Sequence, residues 1–109
     1  MSGQLSGRVA IVTGGAGGIG SRIAKEFASQ GARVVVASRG QEKLDKIVAE
    51  IKSVGGEALG VATDVTDPAQ VDNMVSRTIS EFGQVDIMVN NAGGAMFIKP
   101  AEELLPEEW

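Results

Sequence analysis

The 109-residue chain is 43% hydrophobic and 22% charged with a formal net charge of -4, the balance of one globular domain rather than of a disordered or fibrous polypeptide. It contains no Cys, no His and no Tyr, which excludes a disulfide framework, thiolate chemistry, and the commonest general base and zinc ligand. The acidic balance argues against nucleic acid as a partner. No apolar run approaches the ~18 residues of a membrane span, and Met1 to Ser6 form no secretory segment, so a cytoplasmic location with no membrane partner is expected.

Val9 to Val12 is a short, largely β-branched run that stops at a glycine cluster, the pattern of a strand buried on both faces. The first helix follows, with Ile19, Ile23 and Phe27 expected as its buried stripe and Gly31 as its terminator. Arg33 to Ser38 reads as the second strand. Leu44, Ile47, Val48 and Ile51 mark a second helix closed by Gly55-Gly56, and a third strand is expected through Ala58 to Thr63. Asp67 is placed as the N-cap of the third helix with Pro68 at its first position. The expected stripe of that helix is Val71, Met74, Val75 and Ile79, ending at Gly83. Val85 to Val89 is the fourth strand, and Pro106-Glu107-Glu108-Trp109 has the makings of a helix start.

The order is therefore βαβαβαβ, with connections suited to helical crossovers and a parallel sheet. Right-handed crossovers give the sheet order 3-2-1-4, with the first two helices on one face and the third on the other. The second face is then half covered and the outer edge of Val85 to Val89 has no neighbour. A two-half fold of about six strands is what this pattern normally builds, so the chain is expected to be the first half of a longer domain, marginally stable alone.

Thr13-Gly14-Gly15-Ala16-Gly17-Gly18-Ile19-Gly20 lies between a strand and a helix. There glycines let the backbone approach a pyrophosphate, and the helix N-terminus favours negative charge. The segment matches both G-x-G-x-x-G and T-G-x-x-x-G-x-G, and a bare turn would not need so many glycines. It is not a Walker loop, because no Lys-Ser/Thr follows the final Gly. About 20 residues on, dinucleotide folds place an acid on the ribose 2′-hydroxyl or a base on the 2′-phosphate. Ser38-Arg39 stands there instead of an acid, and the planar guanidinium suits phosphate. Asp64, after the third strand, could form an Asx turn or accept from an adenine amino group. Asn90-Asn91-Ala92-Gly93 could be a plain turn, yet topology sets it beside the first strand, at the switch point where such sheets bind ligands.

The combination of TGGAGGIG, Asp64-Val65, NNAG and PEEW resembles the classical short-chain dehydrogenase/reductase family over essentially the whole chain. The resemblance implies a Rossmann-like doubly wound domain and selects the register Thr13, Gly14, Gly18, Gly20. It further implies pyrophosphate contact by Gly14, Gly15, Ala16, Gly17, Gly18 and Ile19, adenine contact by Asp64 and Val65, and ribose contact by Asn90, Ala92 and Gly93. A base at Arg39 beside Ser38 implies NADP as cofactor. NAD remains open, since Gly17 does not supply the second basic residue that NADP-using members often carry. The family's catalytic Ser, Tyr and Lys fall in a later strand and helix, and none of those positions occurs among the 109 residues. The expectation is the N-terminal portion, residues 1–109, of a single NAD(P)-binding domain, with no catalytic residue and no metal site of its own. The parent would be an NADP-dependent oxidoreductase of a small alcohol or carbonyl, of 3-oxoacyl or sugar type, and a homo-oligomer. The alternative is a non-catalytic nucleotide-binding or assembly module. A receiver domain would want an acid where Thr13-Gly14 stands, and a methyltransferase one in place of Ser38-Arg39.

Overall fold

A computed structural model describes residues 4–14 and 17–90, together with the backbone of 97–100. Strand β1 (Val9–Thr13) is buried along its whole length and lies between β2 (Arg33–Ser38) and β4 (Ile87–Asn90), parallel to both. Strand β3 (Glu57–Ala62) pairs in parallel outside β2. The helices α1 (Gly18–Ser29), α2 (Gln41–Ser53) and α3 (Pro68–Phe82) are the three crossovers, and the order β3-β2-β1-β4 is the expected one.

The continuous apolar runs in β1 and β2 follow from burial on both sides. Val34 and Val36 join Val12, Val89 and Ala58 under α1 and α2, where Ala24, Leu44, Ile47 and Ile51 complete one core. Val35 points the other way and joins Ile11, Ala37, Val61 and Met88 under Val71 and Met74 of α3. Each such valine or isoleucine contributes roughly 1.5–3 kcal/mol of apolar burial. A polar residue at any of these apolar positions would therefore cost one core or the other.

Helix ends follow their signals. Asp67 Oδ1 accepts from Ala69 N at 3.0 Å with Pro68 just inside α3, and Gly83 closes that helix in the left-handed conformation, φ 83°. Two stripe residues depart from expectation. Ile19 is 61% exposed and Ile79 50% exposed. On α1 the buried line is Gly20 and Ala24, small residues that let the helix lie close to the sheet. At about 100° per residue Ile19 sits some 120° from that line, whereas Phe27 stays within about 40°. On α3 the line runs through Val71, Met74 and Thr78, whose hydroxyl donates to Met74 O at 2.8 Å; Ile79 is rotated about 80° from Val71.

Strand β4 starts at Ile87 rather than Val85 because Asp86 ties its base to β1. Val9 N donates to Asp86 Oδ2 at 2.8 Å, and Asp86 N donates to Val9 O at 2.9 Å. The outer edge of β4 has a neighbour, contrary to expectation. Strand β5 (Phe97–Pro100) pairs antiparallel with it, Asn90 opposite Phe97 and Ile87 opposite Pro100. The physical reason is the free row of N–H and C=O groups on that edge, which recruits the next extended segment, and proline is tolerated there because an edge strand need not donate outward. The helix start expected at Pro106 lies outside the described residues. No described helix is long and apolar enough to cross a membrane.

Candidate cofactor site at the carboxyl ends of the strands

Because β1 to β4 are parallel and in register, their carboxyl ends fall along one edge of the sheet. Thr13, Ser38, Ala62 and Asn90 end the four strands, and the loops leaving them hold Gly14, Gly17 and Gly18, then Arg39, then Asp64 and Val65. The expected residues are thus collected on one rim, at the point where α1 and α3 depart to opposite faces. Gly15, Ala16, Ala92 and Gly93 lie outside the described residues.

At the switch point Thr13 joins the two central strands. Its buried Oγ1 lies 3.2 Å from Val89 O and 3.2 Å from Asn90 Oδ1. Asn90 is itself buried, so its side chain braces the rim from within. The turn after Thr13 needs a positive φ at Gly14, 68°, and closes through Gly17 N donating to Gly14 O at 3.1 Å. Helix α1 then starts with Gly17 as N-cap, no side-chain cap and no acid in its first turn. Among the described residues no acid caps this dipole end, unlike α3 with Asp67.

Among the described residues, little packs against two of these glycines. A Cβ on Gly18 would meet nothing within 4 Å, and one on Gly17 only Gly14 O at 3.5 Å. Neither has a positive φ. By contrast, a Cβ on Gly56 would meet Ile51 Cγ2 at 2.7 Å. The open ground over Gly17 and Gly18, at a helix N-terminus lacking an acid, fits a pyrophosphate brought against the backbone. The described part of the rim is thus compatible with a pyrophosphate at the start of α1.

Beside it, Gly17, Ser38, Gly40, Gln41, Glu42 and Lys43 line a groove of about 460 Å³. Ser38 Oγ accepts from Gly40 N at 3.4 Å, holding the turn into α2. Arg39 is exposed and makes no ion pair among the described residues. Asp64 forms the Asx turn: its Oδ1 accepts from Thr66 Oγ1 at 2.6 Å and from Thr66 N at 2.9 Å. The Thr66 hydroxyl, then the Thr66 amide, and also the nearby charge of Arg39, hold the Asp64 carboxyl below its ordinary value. Gln70 Oε1 accepts from Asp64 N at 2.8 Å, and Oδ2 of Asp64 keeps no partner among the described residues. Sequence reasoning missed Thr66 and Gln70, although the Asp-x-Thr spacing signals the turn. It also missed the first turn of α2, which no motif marks. No cluster of potential metal ligands occurs among the described residues.

The short chain dehydrogenase family profile matches residues 8–109. The chain is 42% identical over 93 residues to the 2,5-dichloro-2,5-cyclohexadiene-1,4-diol dehydrogenase of Sphingobium indicum, covering 85% of this chain and 37% of that protein. It is 41% identical over 106 residues to D-threitol dehydrogenase of Mycolicibacterium smegmatis, covering 97% and 40% respectively. Among solved structures, a hydroxysteroid dehydrogenase from Escherichia coli superposes with TM-score 0.80 at 42% identity, over 83% of this chain and 38% of that one. Glucose dehydrogenase of Caenorhabditis elegans gives 0.78 at 38% identity, over 84% and 40%. The chain thus spans about two-fifths of the length of these relatives, and the stretch matched by the family profile includes the glycine turn and the strand ends. With fold and profile in agreement, the chain belongs to the short-chain dehydrogenase family.

Proposed function

We propose that residues 1–109 are the cofactor-binding portion of a single Rossmann-like domain in an NADP-dependent oxidoreductase of a small alcohol or carbonyl compound. The observation that carries the cofactor reading is the end of β2. Ser38 and Arg39 stand there with no acid at the strand end to engage a 2′-hydroxyl, and Arg39 is exposed and makes no ion pair among the described residues. The loop Gly14 to Ile19 takes the pyrophosphate, Asp64 and Val65 border the adenine, and the segment from Asn90 through Ala92 and Gly93 borders the nicotinamide-side ribose. The bound dinucleotide supplies or accepts the hydride. This chain's own residues bind and orient it, and with no Tyr or His they include no acid suited to protonating a carbonyl oxygen. Proton transfer then falls to residues beyond these 109, and the short chain alone turns over no substrate.

The test is a titration of NADP+ and NAD+ into the wild type and Arg39→Ala. A guanidinium–phosphate contact is worth about 1.5–3 kcal/mol, so NADP+ should be preferred roughly 10- to 100-fold and the preference should collapse in the variant. Equal ratios in the two proteins would sink the reading.

A further inference from the structure

We propose that Lys43, in the first turn of α2, is a second cofactor-specificity residue, which engages the 2′-phosphate from the groove that it lines together with Ser38. The inference rests on the NADP reading above and extends it to a position that no glycine or strand-end motif marks. Lys43 lines the groove that also contains Ser38 and Gly17, so its ammonium has access to the space between the end of β2 and the glycine turn. The residue before Leu44 is held at the rim because Leu44 is fully buried and fixes the rotation of α2. Three cations elsewhere are engaged, Arg8 with Asp86, Lys25 with Glu50 and Arg33 with Glu57, whereas Lys43 makes no ion pair among the described residues.

Two other polar side chains of α2 share that lining. Gln41 is committed, its Nε2 donating to Asp45 Oδ1 at 2.8 Å. Glu42 lines the groove as well, and its carboxylate would repel a phosphate approaching Arg39 alone. Lys43 offsets that repulsion, so that the groove lining carries one cation against its one acid. Lysine acts there as a mobile point charge and arginine as the planar fork, so the two need not compete for the same phosphate oxygens.

The experiment titrates NADP+, NAD+, 2′,5′-ADP and 5′-AMP calorimetrically into the whole chain as wild type, Arg39→Ala, Lys43→Ala and Lys46→Ala. Lys46 is an exposed cation of the same helix that does not line the groove. Lys43→Ala should weaken NADP+ and 2′,5′-ADP by about three- to tenfold, as for a partly screened charge pair, and leave NAD+ and 5′-AMP within about twofold. Lys46→Ala should change none of the four. An unchanged NADP+ affinity in Lys43→Ala, an equal loss for NADP+ and NAD+, or the same loss in Lys46→Ala would each overturn the assignment. If Arg39→Ala abolishes the preference while Lys43→Ala does not, the lysine is wrong and the NADP reading stands. If neither variant alters the ratio of NADP+ to NAD+ affinity, both fall.

Discussion

Gly18 opens α1 with an ordinary backbone conformation, and an added Cβ would find nothing within 4 Å. If the residue were glycine for the sake of the fold, its replacement by alanine would have to break something, and the geometry offers nothing to break. Alanine in a helix is favoured over glycine by about 0.8–1.0 kcal/mol in the interior and by less in the first turn, so Gly18→Ala should be neutral or slightly stabilising without ligand. With a dinucleotide present the outcome reverses. The methyl group would fill the ground that the pyrophosphate needs, and forcing such an overlap costs about 1–3 kcal/mol, roughly a 5- to 150-fold loss in affinity.

Denaturant unfolding with and without NADP+ reads both effects in one experiment. Ligand at 100 times its Kd stabilises the native state by about 2.7 kcal/mol. Wild type should show that gain, and Gly18→Ala should lose most of it while matching or exceeding wild type in the absence of cofactor. A variant that is destabilised without ligand would show that Gly18 serves packing. A variant that keeps the full ligand-dependent gain would show that no phosphate approaches there.

Gly56→Ala should behave in the opposite way, losing about 1–3 kcal/mol of stability from the 2.7 Å approach to Ile51 Cγ2 with cofactor affinity per folded molecule unchanged; denaturant midpoints and the fitted Kd separate the two. Asp67→Ala should remove the 3.0 Å cap on Ala69 N and cost about 1 kcal/mol, read as a lower thermal midpoint, and an unchanged midpoint would show the cap to be idle. The Asp64 carboxyl is held below its ordinary value of 3.8, so its contribution to stability is fully present above that value and is lost as pH falls through the lower folded value. The stability difference between wild type and Asp64→Asn should therefore be constant from pH 7 to about 5 and shrink on further acidification; a difference that persists unchanged at low pH would contradict the cause assigned to the shift.

The parts of the fold that were legible in the sequence are those where local chemistry and packing agree. Val34 to Val36 had to be a central strand because consecutive valines serve two cores at once, and Asp67-Pro68 with Gly83 bracketed α3 to the residue. Reading failed where a helix is held by residues that carry little apolar signal. Counting isoleucines placed Ile19 and Ile79 inward, whereas α1 is seated on Gly20 and Ala24 and α3 on Thr78, whose hydroxyl is satisfied within its own helix. Strand β5 was invisible for a different reason: Phe97–Pro100 becomes a strand through the free edge of β4, a property of the assembled sheet and not of four residues. The candidate site was marked in the sequence for the converse reason. Gly18 leaves open space that packing does not require, Arg39 has no ion pair among the described residues, and the Oδ2 of Asp64 is left over once its turn is made. Such residues, gathered at the carboxyl ends of parallel strands, are the ones that the proposed dinucleotide would engage. Lys43 meets the same criterion and escaped notice only because the first turn of a helix carries no pattern of its own.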